Sequence, residues 1–160
     1  MIKYKYGNME ESNMGRDGFV EFLMRAKRAT YAGKGAESAP SRPASHDLVY
    51  EEGGLKYLDT YLGGRRFSGE EAVWQNGVPV WAMNYCGRVT GEPFSGDFLK
   101  EALLHVSGET PYRGPARFED GKYTYLCKPE GTLEWFQGRE EIRFGGETVY
   151  ELYFHGGIVE

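Results

Sequence analysis

Residues 67–89, FSGEEAVWQNGVPVWAMNYCGRV, align without a gap on residues 136–158, FQGREEIRFGGETVYELYFHGGI. Phe67, Gly69, Glu71, Gly77, Val80 and Gly87 recur as Phe136, Gly138, Glu140, Gly146, Val149 and Gly156, six identities where average composition supplies about one or two. Val73/Ile142, Trp81/Tyr150, Met83/Leu152, Tyr85/Phe154 and Val89/Ile158 match in kind. An internal match of this length constrains the fold more than any single motif, because both copies must adopt the same supersecondary unit. It extends upstream, where Tyr50-Glu51-Glu52-Gly53 corresponds to Phe118-Glu119-Asp120-Gly121 across a single-residue gap, and Phe22, Leu23 and Ala26 to Phe98, Leu99 and Ala102. The expected architecture is α+β: two tandem repeats of a helix plus a four-stranded antiparallel meander, about 17–90 and 94–159, with the helices packed on antiparallel sheet. Residues 17–160 then form a single domain, and 1–16 form a tail or a short leading strand.

The local signals agree with this unit. Asp17 reads as the N-cap of a helix over 18–30, with Phe19, Phe22, Leu23 and Ala26 at helical spacing and Arg25, Lys27 and Arg28 on the other side near the C-terminal end. A second amphipathic helix is expected over Asp97–Val106, with His105 complementing its dipole. Hairpin turns are expected at Gly53-Gly54, Asn76-Gly77, Asp120-Gly121 and Gly145-Gly146. Between the first helix and the first hairpin, TYAGKGAESAPSRPAS is too poor in apolar pattern for regular structure and is the longest loop. Strand alternation puts Trp81, Met83 and Tyr85 on one face and Tyr150, Leu152 and Phe154 on one face, the floor under the helices. A polar site on the sheet is expected on the opposite face, with Asn84, Cys86, Glu151, Tyr153 and His155.

Composition narrows the function. The formal charge of −5 with no clustered Lys and Arg argues against a nucleic-acid footprint. No stretch of about 18 apolar residues and no apolar signal-peptide core occurs, so a cytoplasmic protein without membrane association is expected. Cys86 and Cys127 lack metal-site spacing and read as buried reduced thiols. No metal site or cofactor is expected, and phosphate-loop, HExxH and GxSxG patterns are absent.

Several polar residues are candidates for a site. His46-Asp47 has the composition of an oriented base, although neighbours in a strand point to opposite faces and a turn-forming Ser-His-Asp is the simpler explanation. Arg42 in the long loop offers a planar clamp for an anion or simply braces the loop. Tyr57, Asp59 and Tyr61 share one strand face, lining a polar pocket or forming a satisfied buried network. Glu71 and Glu140, present in both copies, are read as turn hydrogen-bonding groups. Cys86 and His155 occupy equivalent positions and would approach as thiol and base only if the two hairpins met at a pseudo-twofold axis.

The segments TYAGKG, SRPASHDLVYEEG, YLDTYLGG, FSGEEAVW, PVWAMNYCGRV, FSGDFLKEAL, PYRGP and ELYFHGG occur in that order. Together they resemble a bacterial family known as domain of unknown function 5680, over about residues 17–159. Members occur alone or behind helix-turn-helix modules of the Xre type, so the resemblance implies a sensing or effector role, associated with transcription regulation, in the fused form, from which this chain departs. Only 16 residues precede the first helix here, too few for a three-helix DNA reader, and direct nucleic-acid binding is not expected.

The leading reading is a non-catalytic sensor or small-ligand-binding domain, with a pocket between the long loop (Arg42, His46, Asp47) and the tyrosine-bearing strand (Tyr57, Asp59, Tyr61). One alternative is a small hydrolase or transferase using His46 as general base. Another is a protein-interaction module, such as a homodimer joined through a strand edge.

Overall fold

The computed structural model of the protein describes residues 15–160, so most of the expected N-terminal tail lies outside the described residues. The chain is α+β, with helix α1 (Arg16–Ala29) followed by β1 (His46–Glu52), β2 (Leu55–Gly63), β3 (Arg66–Gln75) and β4 (Val78–Val89). Helix α2 (Gly96–Leu104) then precedes β5 (Arg117–Asp120), β6 (Tyr123–Thr132), β7 (Trp135–Phe144) and β8 (Glu147–Ile158). The strands form one eight-stranded sheet in the order β1-β2-β3-β4-β8-β7-β6-β5, with every pairing antiparallel. The sheet is therefore twice the size of a four-stranded meander. The two meanders are continuous across the β4–β8 seam, where Tyr85 stands directly opposite Phe154.

Each helix buries the stripe its spacing defines: Phe19, Phe22, Leu23 and Ala26 in α1, and Phe98, Leu99, Ala102 and Leu103 in α2. These meet Trp81, Met83 and Tyr85 of β4 and Tyr150, Leu152 and Phe154 of β8 in one core, as strand alternation requires. The helix starts differ from expectation. Gly15, not Asp17, is the N-cap of α1, and Asp17 sits in the first turn, where a carboxylate still suits the dipole. Ser95 caps α2 by accepting a hydrogen bond from the Phe98 N–H. Neither described helix is long and apolar enough to cross a membrane.

The recurring glycines have a packing reason. Gly69 stands opposite Tyr85, Gly87 opposite Phe67, Gly138 opposite Phe154 and Gly156 opposite Phe136 in the strand registers. A Cβ on Gly138 would lie 2.3 Å from the Phe154 ring, and one on Gly69 would lie 2.4 Å from the Tyr85 hydroxyl. Each aromatic ring lies over a bare backbone, so the sheet and the rings close against each other without a gap. Gly138→Ala is accordingly expected to cost about 1–3 kcal/mol, since the ring it meets is locked in the core. A lowered urea midpoint with an unchanged slope is the result that checks it.

The face away from the helices is open. It carries a ladder of alternating charge in which Glu151 bridges Arg88 (2.7 Å) and Arg139 (3.2 Å), and Glu141 bridges Arg139 (3.1 Å) and Arg143. Cys86 lies on this face and is exposed, contrary to the buried position expected of it, whereas Cys127 is buried on the helix side. Cys86 and His155 sit diagonally across the β4–β8 seam, but no hydrogen bond among the described residues joins them.

Candidate functional site

The polar centre of the molecule lies under the helices, not on the open face where the alternation argument would seek it. Asp59 of β2 and Glu71 of β3 are direct cross-strand partners, 4% and 3% exposed. Two carboxylates at that spacing repel strongly in a low-dielectric interior unless cations or protons intervene. Two cations are present. Lys27 of α1 donates to Glu71 and to the Tyr112 carbonyl at 2.7 Å. Arg113, on the segment between α2 and β5, donates from Nε and Nη2 to the two oxygens of Glu140 at 3.0 and 2.7 Å, with its Nη1 3.7 Å from Glu71. The fork geometry suits a carboxylate, as the planar guanidinium favours. Tyr125 and Tyr150 complete the Glu140 shell with hydroxyls at 2.6 and 2.7 Å. Burial works to raise the Glu140 carboxyl, but Arg113 and these hydroxyls hold it below the usual carboxylate range.

Asp59 is treated differently. Tyr85 donates to its Oδ1 at 2.6 Å, and no hydrogen bond or ion pair from the described residues reaches Oδ2. Lys27 and Arg113 balance Glu71 and Glu140, leaving the charge on Asp59 without a counterpart. Burial and the neighbouring Glu71 together push its carboxyl up to about 7.

Beside Asp59 opens a cavity of about 320 Å³. Its walls are aromatic: Tyr31, Tyr61, Phe67, Tyr85, Phe94 and Tyr150, with Leu99 from α2 above and Arg113 at depth. Phe94 stacks on Tyr150 at 5.5 Å, and Phe67 on the same ring at 6.2 Å. A smaller void of about 20 Å³, lined by Lys27, Tyr57, Asp59, Glu71 and Arg113, has room for about one water.

The sheet divides the six residues expected to form one site. His46, Tyr57, Asp59 and Tyr61 lie on the helix face, and His46, Asp59 and Tyr61 line the cavity. His46 stacks on Tyr61 at 4.8 Å and takes its carboxylate partner from Glu37, whose Oε1 is 3.0 Å from Nδ1. Asp47 points to the other face, as adjacent strand residues must. There it accepts from the Ser41 N–H (2.9 Å) and Thr60 Oγ1 (2.8 Å), while Arg42 donates to Thr60 Oγ1 at 2.9 Å. Arg42 and Asp47 therefore brace the long loop against β2 and do not reach the cavity. Burial opposes ionisation of Asp47, yet the hydrogen bonds from Ser41, Ser45 and Thr60 outweigh it and hold the carboxyl at about 2. A carboxyl with a depressed folded pKa stabilises the fold above its unfolded value of about 3.9 and loses that contribution as pH falls toward about 2. In acid unfolding, wild type is expected to lose about 2 kcal/mol across that window that Asp47→Asn does not lose.

Glu71 and Glu140 are mid-strand and buried, so their recurrence reflects the charge cluster and not turn hydrogen bonding. Lys27 and Arg113 went unread as core groups. For Lys27 a signal existed: Phe19, Leu23 and Lys27 follow one another at steps of four, which puts Lys27 on the apolar stripe. Arg113 carries no local pattern. Among the described residues no three His, Cys, Asp or Glu side chains converge to hold a metal ion.

Fold and site together define a class: an antiparallel α+β domain whose helix layer covers a buried ion cluster and an aromatic-walled cavity. Residues 59–159 match the family described as Domain of unknown function (DUF5680), and the chain belongs to that family. The matched span holds Asp59, Glu71, Arg113 and Glu140 and most of the cavity wall; Tyr31 and His46 precede it. No curated protein and no solved structure matches the chain.

Proposed function

We propose that this domain is a non-catalytic binding or sensor domain for a small organic molecule, held in the cavity between α2 and the β1–β4 half of the sheet. One observation carries the reading: a cavity of about 320 Å³ with six aromatic walls and a single carboxylate oxygen lacking a partner, the composition of a small-molecule site. A buried ion cluster alone would need no such space. Gly64 lines the cavity and has nothing within 4 Å of an added Cβ, so Gly64→Trp is expected to place a bulky ring at the cavity's edge with little strain in the fold. The test is a thermal-shift screen of common metabolites on wild type and this variant. Hits that raise the melting temperature of wild type alone support the reading; an empty screen, or equal shifts in both proteins, removes it.

A second reading rests on His46, whose Glu37 partner and position at the cavity suit a general base oriented by an acid. Consumption of a bound molecule by wild type and not by His46→Ala would replace the first reading with this one.

We also read α1–β4 and α2–β8 as two copies of one unit. The aligned positions are offset by 69 residues, and the offset mates Tyr85 and Phe154 are the pair that faces across the seam. The copies differ at the site. Opposite Glu71 stands Asp59, whereas opposite Glu140 stands Cys127, so the unpartnered carboxylate belongs to one copy alone.

A further inference from the structure

We infer that the occupant of the cavity is an organic cation, a protonated amine or amidinium carried on an apolar or aromatic body. This rests on the small-ligand reading above and adds the charge of the ligand. Within the buried cluster Lys27 and Arg113 offset Glu71 and Glu140, and Arg113 is held by two hydrogen bonds to Glu140. The remaining charge is that of Asp59, whose Oδ2 has no partner among the described residues and which lines the cavity. A cation in the cavity completes the balance. An anion would instead meet Asp59 inside and Glu37 beside His46, with Arg113 already engaged. The walls are also right for a cation, because the faces of tyrosine and phenylalanine rings attract positive charge through their quadrupoles. Three of the wall tyrosines, Tyr31, Tyr61 and Tyr150, have hydroxyls held neutral, their acidity lowered first by burial.

Binding should be linked to protons. The titratable groups that other elements bring to the two spaces beside Asp59 are Glu71 on β3, Tyr85 on β4, Lys27 on α1, Tyr112 and Arg113 before β5, His46 on β1, Tyr31 after α1 and Tyr150 on β8. Of these, Glu71 favours a protonated Asp59, and an incoming cation favours the ionised form, so binding near pH 6 releases a proton to buffer.

The experiment uses three probes of one shape on the full chain: 2-phenylethylamine, 2-phenylethanol and 3-phenylpropionate, by calorimetry in two buffers of different ionisation enthalpy. The amine is expected to bind about tenfold or more tighter than the alcohol, as a charge-assisted hydrogen bond provides, with proton release. Asp59→Asn is expected to erase that preference. If the alcohol binds as well as the amine, or the acid binds more tightly, the cation inference is overturned and the small-ligand reading stands. If none of the three binds, the charge of any molecule found in the metabolite screen decides: a cation supports the inference and a neutral or anionic hit overturns it. An empty screen removes both.

Discussion

Arg113→Met is expected to cost about 3–5 kcal/mol of stability, the usual consequence of removing one partner from a buried ion pair. For a domain of this length that is a drop in melting temperature of about 10 °C or more. The magnitude follows from what is left behind. Glu140 is fully buried, and without Arg113 it keeps two tyrosine hydroxyls but no countercharge. Glu71 loses its second cation as well and depends on Lys27 alone. Because one side chain serves carboxylates on β3 and β7, its loss is felt on both sides of the β4–β8 seam. Arg113→Met combined with Glu140→Gln removes the stranded charge, and the pair is expected to recover much of the loss. Urea unfolding of the two single variants and the double variant closes the cycle. A double variant no better than Arg113→Met would mean that the guanidinium acts through packing alone.

Asp59→Asn is expected to be more stable than wild type at pH 8 and no more stable at pH 4. The folded carboxyl titrates near 7, against about 3.9 in the unfolded chain. A group whose pKa is raised on folding contributes fully below the unfolded value, and that contribution is lost as pH rises through the folded one. Wild type therefore gives up stability between about pH 4 and pH 7, on the order of 3 kcal/mol in all, whereas asparagine has no proton to lose. Asp47 and Glu140, whose carboxyls are depressed, act at lower pH and in both proteins. The difference between the two profiles isolates Asp59, and a flat difference would show that its carboxylate stays ionised throughout.

The helices, the strands and three of the four expected hairpin turns were legible because each is a local pattern: an apolar stripe at helical spacing, an alternation, a Gly-Gly or Asn-Gly dipeptide. The fourth turn falls on Gly121-Lys122, one residue beyond the expected dipeptide. The shared face of Tyr57, Asp59 and Tyr61 was legible for the same reason. The join of the two meanders was not, since nothing local dictates that β4 pairs with β8. Arg42 and Asp47 were grouped with the site by proximity along the chain, although the sheet separates them from it. Lys27 and Arg113 were missed because buried cations are recognised by distant carboxylates: Lys27 lies 44 residues from Glu71, and Arg113 27 residues from Glu140.

The seam itself has a kinetic consequence. β4 and β8 are the last strands of their respective meanders, so each remains an edge until the other is made. Hairpins close within microseconds, but the seam joins residues 69 apart, such as Tyr85 and Phe154, and contacts of that separation form late. Until then the chain displays two unpaired edges bearing Trp81, Met83, Tyr150 and Leu152, the kind of surface that captures a neighbouring chain. Refolding yield should thus fall with protein concentration, and the loss should come before the seam closes.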